Sequence, residues 1–437
     1  MRPGSMKPGS IVCLLLLSVL CLLPACSGLP LTAPTPAASA TLAPAPLPTV
    51  AKTLELPTPT APGPLHLRVW LPPFMAFSGD DPAGSRLRSR LEEFQSRNPN
   101  VIIETRTKSE TGPGGLFDSL VTASAAAPAA LPDLIALPRD VLEAAALKGL
   151  LLPYDSLTAS LDDPDWYPFA RELAYIQDDI YGLPFAGDAM VQVYHIEQIT
   201  EPLQSWSSVI EVGETLLFPA ASEQPFFTLL QYQANGGVVQ DEQGRPALSS
   251  TELAEVLAFY QNAVQAGVMP EITLTQLQTD AQAWDAFTQT HAAQIVTWTS
   301  SYLDRQSPEI SLAAVATPHG DAYTLASGWV WALVGRDEQK RRLAVDLAEF
   351  LTDSQYLAGW SMAAGYLPAR PSALAGWSPE ARPPMLSEIA NSAHLLPPTD
   401  VRASLQAPLG QATIAVLKGQ SDPITAAQAA VTSLTAP

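Results

Sequence analysis

Cysteine and histidine are scarce in this chain. Its 437 residues include three cysteines, Cys13, Cys21 and Cys26, and none follows Cys26. The rest of the sequence therefore cannot form disulfide bonds, supply a catalytic thiol or bind zinc through thiolates. The five histidines are scattered, and none forms an HExxH motif or a comparable i, i+4 pair. We therefore expect no metal site.

Basic residues are also few. Lysine and arginine total 23 against 43 aspartates and glutamates, which gives a formal net charge of −20. Because such a chain repels phosphate backbones, we expect no nucleic-acid partner.

Motifs for cofactor binding and catalysis are missing. The sequence contains no GxxxxGK phosphate loop, and the glycines of Gly112–Gly115 do not form a dinucleotide fingerprint. The segment Gly359–Ala363 lacks the last glycine of a nucleophile elbow. We therefore predict that the protein has no cofactor and no catalytic residues.

The N-terminus has the features of a secretion signal. Two positive charges precede an uncharged, apolar run over residues 11–24. That run is shorter than the ~20 residues that span a bilayer, and it suits a signal peptide. Leu23–Cys26 resembles a bacterial lipobox, which implies a signal peptide over 1–25 and lipidation of Cys26. Secretion with cleavage at another position is the alternative.

Residues 26–64 follow as a tether. The stretch after Cys26 contains ten prolines and only two charged residues, Lys52 and Glu55. Such a composition cannot bury a hydrophobic core, so we expect an extended segment that links the anchor to a body starting at Leu65.

The body alternates between strand and helix patterns. Short apolar or alternating runs predict strands, and apolar residues at helical spacing predict helices. The predicted strands are 65–71, 101–105 and 133–137, and the predicted helices are 84–97, 114–126 and 139–148. This order indicates an α/β fold built on a parallel sheet.

Two tryptophans stand close together near the C-terminal third. Trp329 and Trp331 flank Val330, so a strand would direct both rings to the same face. They predict an apolar platform for a ligand, and ordinary core packing is the alternative.

Several segments together resemble the family 1 extracellular solute-binding proteins of ABC importers. The resemblance extends, in order, from about residue 65 to 434. The matching segments are Phe94–Val101, Pro132–Ile135, Ala146–Leu151, Ile180–Asp188, Ser205–Trp206, Gly365–Pro368 and Lys418–Gln420.

This resemblance implies two α/β lobes joined by a hinge, with a ligand cleft between them. It implies that the chain crosses between lobes near 182–188, 297–301 and 325–332. The first lobe would then comprise 65–184 plus about 299–330. The second lobe would comprise 185–298 plus about 331–437.

The maltodextrin-binding branch of the family implies individual ligand-binding residues. By position in the matching segments these are Trp70, Asp140, Asp188, Phe226 and Trp298. Packing of Trp70 and Phe226 in the core and helix capping by Asp140 are the alternatives. Other positions differ from the branch. Leu137 replaces an aromatic residue, and Gln406 and Pro408 stand in the region where the branch has a C-terminal stacking aromatic. The resemblance therefore does not imply maltodextrin specificity.

These residue types suit a neutral carbohydrate. Aromatic rings cover the apolar face of a sugar, and carboxylates accept hydrogen bonds from its hydroxyls. We therefore predict a monomeric, extracytoplasmic lipoprotein that binds a sugar and delivers it to an ABC permease, touching the membrane through its lipid alone. A binder of a cationic solute such as a polyamine, and a surface glycosidase using Asp140 and Asp188, are the alternatives.

Overall fold

The computed structural model of the chain describes residues 63–77 and 81–435. The predicted signal peptide, Cys26 and tether residues 27–62 lie outside the described residues. No helix of the described part is both long and apolar enough to cross a membrane.

The structure is a mixed α/β fold. Its strands are β1 (Leu65–Leu71), β2 (Val101–Thr107), β3 (Leu134–Pro138), β4 (Tyr175–Ile176), β5 (Asp179–Ile180), β6 (Leu183–His195), β7 (Leu216–Leu217), β8 (Gln294–Trp298), β9 (Ile310–Ala313), β10 (Thr324–Leu333), β11 (Leu367–Pro368) and β12 (Ala393–Leu395). Short 3-10 turns lie at Pro73–Met75, Pro128–Ala130 and Ser160–Asp162.

The α-helices surround these strands. They are α1 (Pro82–Arg97), α2 (Leu116–Ala126), α3 (Arg139–Leu147), α4 (Pro168–Leu173), α5 (Trp206–Val212), α6 (Phe226–Ala234), α7 (Ser250–Gln265), α8 (Glu271–Leu274), α9 (Asp280–Thr290), α10 (Thr299–Arg305), α11 (Glu338–Leu351), α12 (Ser354–Ala364), α13 (Pro371–Ala375), α14 (Leu386–Asn391), α15 (Thr399–Leu417) and α16 (Pro423–Thr435).

The first three predicted strand–helix units are confirmed. β1 lies between β2 and β3 and runs parallel to both. Helix α1 begins two residues earlier than predicted because the Asp81 carboxylate accepts hydrogen bonds from the backbone N–H groups of Ala83 and Gly84.

The main sheet is mixed, whereas the sequence pattern predicted a parallel one. Its central order is β2-β1-β3-β10-β6-β8-β7, with β11 and β9 paired to β6 and β12 paired to β10. β10 is antiparallel to both β3 and β6. The prediction failed here because β10 comes from a segment almost 200 residues after β3 and inserts beside it.

The long strand β6 connects two sections of this sheet. Its residues 183–189 pair with β10, and its residues 190–195 pair with β8 and β9. Every residue of β6 is buried except Asp188 and His195, which are partly exposed. The pairing partner of β6 therefore changes between Ala189 and Met190, just beyond the predicted crossing at 182–188.

Helices α11 and α12 pack against the first section of the sheet. α12 contacts α1, and α11 contacts β1 and β10. The Arg90 guanidinium of α1 donates hydrogen bonds to the Phe350 carbonyl at 2.8 and 3.1 Å and lies 3.4 Å from the centroid of its ring. In contrast, α15 and α16 pack on α7. The predicted inclusion of all of 331–437 in one lobe does not agree with these contacts.

A buried carboxylate attaches the start of α15 to α3. The Glu143 side chain pairs with Arg139 at 2.8 Å. It also accepts hydrogen bonds from the backbone N–H and hydroxyl of Thr399, at 2.8 and 2.5 Å. Arg139 donates further to the carbonyls of Leu173 and Tyr175 at 3.0 and 2.6 Å. One ion pair thus joins α3, the end of α4 and the first turn of α15.

Candidate ligand-binding site

A cavity of about 750 Å³ lies where strand β8 ends, and we call it the site cavity. Trp298, the last residue of β8, and Phe226, the first residue of α6, both line it. Their ring centroids are 5.5 Å apart and their planes lie at 89°. Strand ends are frequent ligand sites in α/β proteins, and here two predicted ligand-binding residues come together at one of them.

The polar wall of the site cavity contains Asp280, the first residue of α9. Its Oδ1 accepts a hydrogen bond from the Thr297 hydroxyl and its Oδ2 accepts one from the Ser301 hydroxyl, both at 2.6 Å. Gln224 and Gln278 add exposed amides to the same wall. A carboxylate and two amides beside two rings can accept hydrogen bonds from, and donate them to, a polyhydroxyl ligand.

Sequence analysis did not identify Asp280. Because it follows Thr279, whose side chain caps α9, the local pattern indicates only a helix start. Its role in the cavity depends on the packing of α9 against β8, which no local pattern reports.

Asp188 joins β6 to the start of α10. Its Oδ1 accepts from the Thr299 hydroxyl at 2.7 Å and the Ser300 backbone N–H at 2.9 Å, and its Oδ2 accepts from the Ser300 hydroxyl at 2.6 Å. Burial raises the pKa of Asp188 to about 6, although these hydrogen bonds act in the opposite direction and nearby Asp280 adds to the rise. A carboxylate has about four acceptor positions, so one remains on Oδ2 for a ligand. Its predicted ligand role stays a prediction.

A second group of aromatic rings surrounds Trp329. The Phe74 ring lies 4.9 Å from Trp329, edge on at 71°, and 5.0 Å from Tyr366. Trp329 is 7% exposed, whereas Phe74 and Tyr366 are partly exposed. The Tyr366 hydroxyl is close enough to the Asp188 and Glu110 carboxylates that both add to the burial-driven rise of its pKa. These rings therefore lie near the crossing of β6.

Trp331 and Trp70 belong to the core. Trp331 is 1% exposed and packs on Phe185, with ring centroids 4.9 Å apart. Trp70 is 3% exposed, and the Lys108 ammonium lies 5.0 Å from its ring centroid. Both rings of the predicted platform on β10 are covered, since Phe74 packs on Trp329 and Phe185 packs on Trp331. The prediction of an open two-ring platform is therefore corrected, and Trp70 offers no free ring face to a ligand.

Asp140 is exposed in the first turn of α3. The residue before that helix is Pro138, so Asp140 is not its N-cap. The Asp140 carboxylate contributes, after burial, to the raised pKa of Glu110. It also opposes the burial that lowers the pKa of Arg402. Asp140 therefore faces one carboxylate and one guanidinium, and its predicted ligand role stays a prediction.

Phe74, Glu110 and Tyr366 were not among the predicted ligand residues. Tyr366 lies inside Gly365–Pro368, a segment that carried the family resemblance, so that motif was a usable signal. Phe74 lies in the 3-10 turn after β1 and Glu110 in the loop after β2, where no sequence pattern distinguishes them. Within residues 63–77 and 81–435, no three histidine, cysteine, aspartate or glutamate side chains form a group that could hold a metal ion.

Comparison with known proteins agrees with the family resemblance found in the sequence. Residues 89–386 match the family model described as bacterial extracellular solute-binding protein. The chain is 26% identical over 181 residues to the maltotriose-binding protein of Pyrococcus abyssi. That match covers 40% of this chain and 38% of the relative, so it spans well under half of the relative's length.

Solved structures match over most of the chain. The sugar-binding protein MalE of Xanthomonas citri matches with a TM-score of 0.70 and 19% identity, over 84% of this chain and 95% of the other. The cyclic alpha-maltosyl-1,6-maltose binding protein of Arthrobacter globiformis matches with a TM-score of 0.68 and 17% identity, over 85% and 98%. These matches show the two-lobed α/β fold, with a hinge and a cleft between the lobes, as the sequence predicted.

Proposed function

The chain belongs to the family of bacterial extracellular solute-binding proteins, and from this premise we propose that it captures a carbohydrate and delivers it to an ABC transporter permease. The observation that carries the proposal is the site cavity, in which Phe226 and Trp298 lie edge to face beside Asp280. The rings suit the C–H faces of a sugar and the oxygens suit its hydroxyls. The names of two similar proteins, which specify maltotriose and a cyclic maltosyl-maltose, support the same ligand class.

The carbohydrate is proposed to be neutral. The described residues that line the site cavity include the acids Glu223 and Asp280 and no lysine or arginine. An anionic sugar would therefore be desolvated next to like charge, which is unfavourable. Glu110 and Asp140 are acidic side chains that do not repel a cation. They support a polyamine as the second candidate ligand.

The proposed ligand contacts come from both lobes. Phe226, Trp298 and Asp280 would contact the sugar from one side of the cleft. Trp329 with its neighbours Phe74 and Tyr366, and the acids Asp140 and Asp188, would contact it from the other side and from the crossing.

We assign the lobes from the packing of their helices. The first lobe comprises residues 65–187 and about 324–392, since α11 and α12 pack on α1 and β1. The second comprises residues 190–316 and about 399–435, since α15 and α16 pack on α7. This assignment replaces the expected boundaries after residue 299 and shifts the crossing of β6 from the expected 182–188 to about 188–190.

The proposal also includes the cellular location of the protein, its oligomeric state and whether it converts its ligand. Members of this family act outside the cytoplasm, and the lipobox-like Leu23–Cys26 supports attachment to the membrane by lipidated Cys26. We propose a monomer that binds its ligand without converting it. A glycosidase that uses Asp140 and Asp188 is disfavoured because three of the acceptor positions of Asp188 are already bonded to α10.

One experiment tests the ligand class. A thermal-unfolding screen would compare neutral mono- and oligosaccharides, uronates and polyamines, followed by calorimetry on each ligand that stabilises the protein. A ligand at 100 times its Kd stabilises by about 2.7 kcal/mol, which such a screen detects. If a polyamine stabilises the protein and no sugar does, the carbohydrate proposal is wrong and the polyamine takes its place. Release of shortened sugar from a labelled oligosaccharide would contradict the assignment as a binder.

A further inference from the structure

Apart from its tryptophan, the segment that carries Trp298 consists of hydroxyl-bearing residues. Thr297 precedes the tryptophan, and Thr299, Ser300 and Ser301 follow it. Strand β8 ends at Trp298 and helix α10 begins at Thr299, so no loop separates the two elements. The ring of Trp298 therefore lines the site cavity from the point where the backbone changes from strand to helix.

The Asp280 carboxylate connects the two ends of this segment. One of its oxygens accepts a hydrogen bond from Thr297, and the other accepts one from Ser301, both at 2.6 Å. A carboxylate can accept from two hydroxyls at once, and its charge strengthens both bonds. Asp280 therefore fixes the residues on both sides of Trp298.

Asp188 supplies the start of α10 with the cap that its own sequence lacks. The N-cap position is occupied by Trp298, whose side chain has no oxygen that could accept from a backbone N–H. Asp188 accepts from the Ser300 N–H instead, at 2.9 Å, and also from the hydroxyls of Thr299 and Ser300. Helix α10 has only 7 residues, and so short a helix depends on contacts with other parts of the protein. A capping residue at position 298 would complete the cap locally but would remove the ring.

We propose that Asp188 and Asp280 are positioning residues that act on the ligand through Trp298. They hold the segment on both sides of the tryptophan, so the ring is already in place when a sugar enters the site cavity. A ring that is fixed beforehand loses less conformational freedom on binding, which favours affinity. This inference rests on the proposed function and adds to it the residues that set the geometry of one ligand contact.

The first measurement follows the Trp298 ring in the protein without ligand. Incorporated 5-fluorotryptophan gives a fluorine NMR signal for each tryptophan, and Trp298→Phe identifies the signal of residue 298. Asp188→Ala and Asp280→Ala should each shift or broaden that signal, because the segment loses its hydrogen bonds on one side. Asp280→Asn keeps an acceptor and a donor for the two hydroxyls, so it should leave the signal close to its wild-type position.

A second variant tests the same contact from the hydroxyl side. Thr297→Val combined with Ser301→Ala removes both donors and leaves the Asp280 carboxylate in place. It should change the Trp298 signal in the same way as Asp280→Ala. A direct contact between Asp280 and the sugar would not produce this agreement in a protein without ligand.

Asp165→Ala is the matched control. The Asp165 carboxylate also accepts from two serine hydroxyls, those of Ser354 and Ser372, but it lies in the loop before α4 and is not part of the lining of the site cavity. Its loss should lower the midpoint of thermal unfolding and leave the Trp298 signal unchanged. Thermal unfolding of every variant establishes that it is folded.

The second measurement is a double-mutant cycle on the Kd for maltotriose, the sugar for which one similar protein is named. If maltotriose does not bind, the cycle uses the first sugar of the thermal screen that does. Asp280→Ala should raise the Kd about tenfold in the wild-type protein and less than about threefold in Trp298→Ala, because a residue that acts through the ring has little effect once the ring is gone. Asp280→Asn should retain most of the wild-type affinity.

The outcomes separate this inference from the proposed function. A Trp298 signal that one of the two alanine variants leaves unchanged would overturn the positioning role of that residue. A signal that Asp165→Ala also changes, or effects of Asp280→Ala and Trp298→Ala on the Kd that simply multiply, would overturn the proposal as a whole. If the wild-type protein binds no sugar, the proposed function fails, and the spectra of the protein without ligand still decide whether the two carboxylates hold the ring.

Discussion

Ser300 donates both its backbone N–H and its hydroxyl to the carboxylate of Asp188, at 2.9 and 2.6 Å. The two residues are 112 positions apart in the chain. This contact fixes the start of α10 close to the point where β6 changes its pairing partner, between Ala189 and Met190. A single carboxylate thus connects two of the segments that are predicted to cross between the lobes.

The first prediction concerns the pH dependence of Asp188. Because the pKa of Asp188 is raised from 3.8 to about 6, the folded protein binds the proton of this carboxyl group more tightly than the unfolded chain does. The resulting stabilisation is full below pH 3.8 and is lost as the pH rises through 6. Asp188→Asn stays neutral throughout, so its free energy of unfolding relative to wild type should rise over that window by up to about 3 kcal/mol.

Urea unfolding at a series of pH values measures this difference. Asp163→Asn provides a control of opposite sign, since hydrogen bonds from Asp165 and Arg370 lower the pKa of Asp163. Wild type should therefore lose stability relative to Asp163→Asn as the pH falls. Parallel curves for wild type and Asp188→Asn would refute the assignment of a raised pKa.

The second prediction concerns the two rings of the site cavity. Trp298→Ala and Phe226→Ala should each weaken sugar binding by about 1–3 kcal/mol, because the ring face that covers the sugar is lost. Trp206→Ala is the control. The Trp206 ring stacks on Phe259, with ring centroids 4.8 Å apart, and Trp206 is not part of the lining of the site cavity. It should lower stability and leave the Kd of the folded protein unchanged. Equal effects of Trp206→Ala and Trp298→Ala on Kd would contradict the site.

The third prediction concerns the buried pair of Arg139 and Glu143. Glu143→Ala leaves the Arg139 charge without its carboxylate and removes Oε2, which accepts from both the backbone N–H and the hydroxyl of Thr399. It should therefore destabilise the protein by about 3 kcal/mol. Glu143→Gln keeps an acceptor and should destabilise it less. The midpoint of urea unfolding reports both, and an unchanged midpoint for Glu143→Ala would mean that this link contributes nothing to stability.

The fourth prediction concerns closure of the lobes. A ligand that contacts both lobes stabilises the closed form, and a shift from 1:99 to 99:1 requires about 5.5 kcal/mol of differential affinity. Small-angle scattering of residues 65–437 should give a smaller radius of gyration with saturating sugar than without it. An identical curve, with binding established by calorimetry, would exclude closure as the mechanism.

The fifth prediction concerns the anchor. Cys26→Ser removes the thiol that a lipid would modify, so the variant should move from the membrane fraction to the soluble fraction of the expressing cells. Fractionation followed by immunoblotting measures this. Membrane association that persists in the variant would contradict lipidation at Cys26.

Local patterns in the sequence predicted the elements near the start of the body. β1, β2, β3 and α1 follow from short apolar or alternating runs and from helical spacing, which act over a few residues. The resemblance to a known family supplied the expected crossing at 182–188 and named Phe226 and Trp298, which line the site cavity. Residues that a motif contains could therefore be proposed for the site before their contacts were known.

Pairings between distant segments could not be predicted in this way. Alternation predicted that Trp329 and Trp331 share one face of a strand, but whether their rings are open to a ligand depends on Phe74, which packs on Trp329, and on Phe185, which packs on Trp331. In the same way, the partners of Asp188 lie in α10, and the partner of Glu143 lies at the start of α15. Such contacts depend on the tertiary arrangement and leave no local pattern.

The position of β10 has a consequence for how the protein is made. β10 lies between β3 and β6 in the sheet, yet it follows them in the chain, so both strands have an unpaired edge until residues 324–333 arrive. Exposed edges of apolar strands pair readily with other chains. Since such long-range pairing is slow, we expect the nascent chain to expose these two edges until residues 324–333 have been synthesised. We therefore expect a chain that stops before β10 to aggregate and not to form a smaller folded lobe.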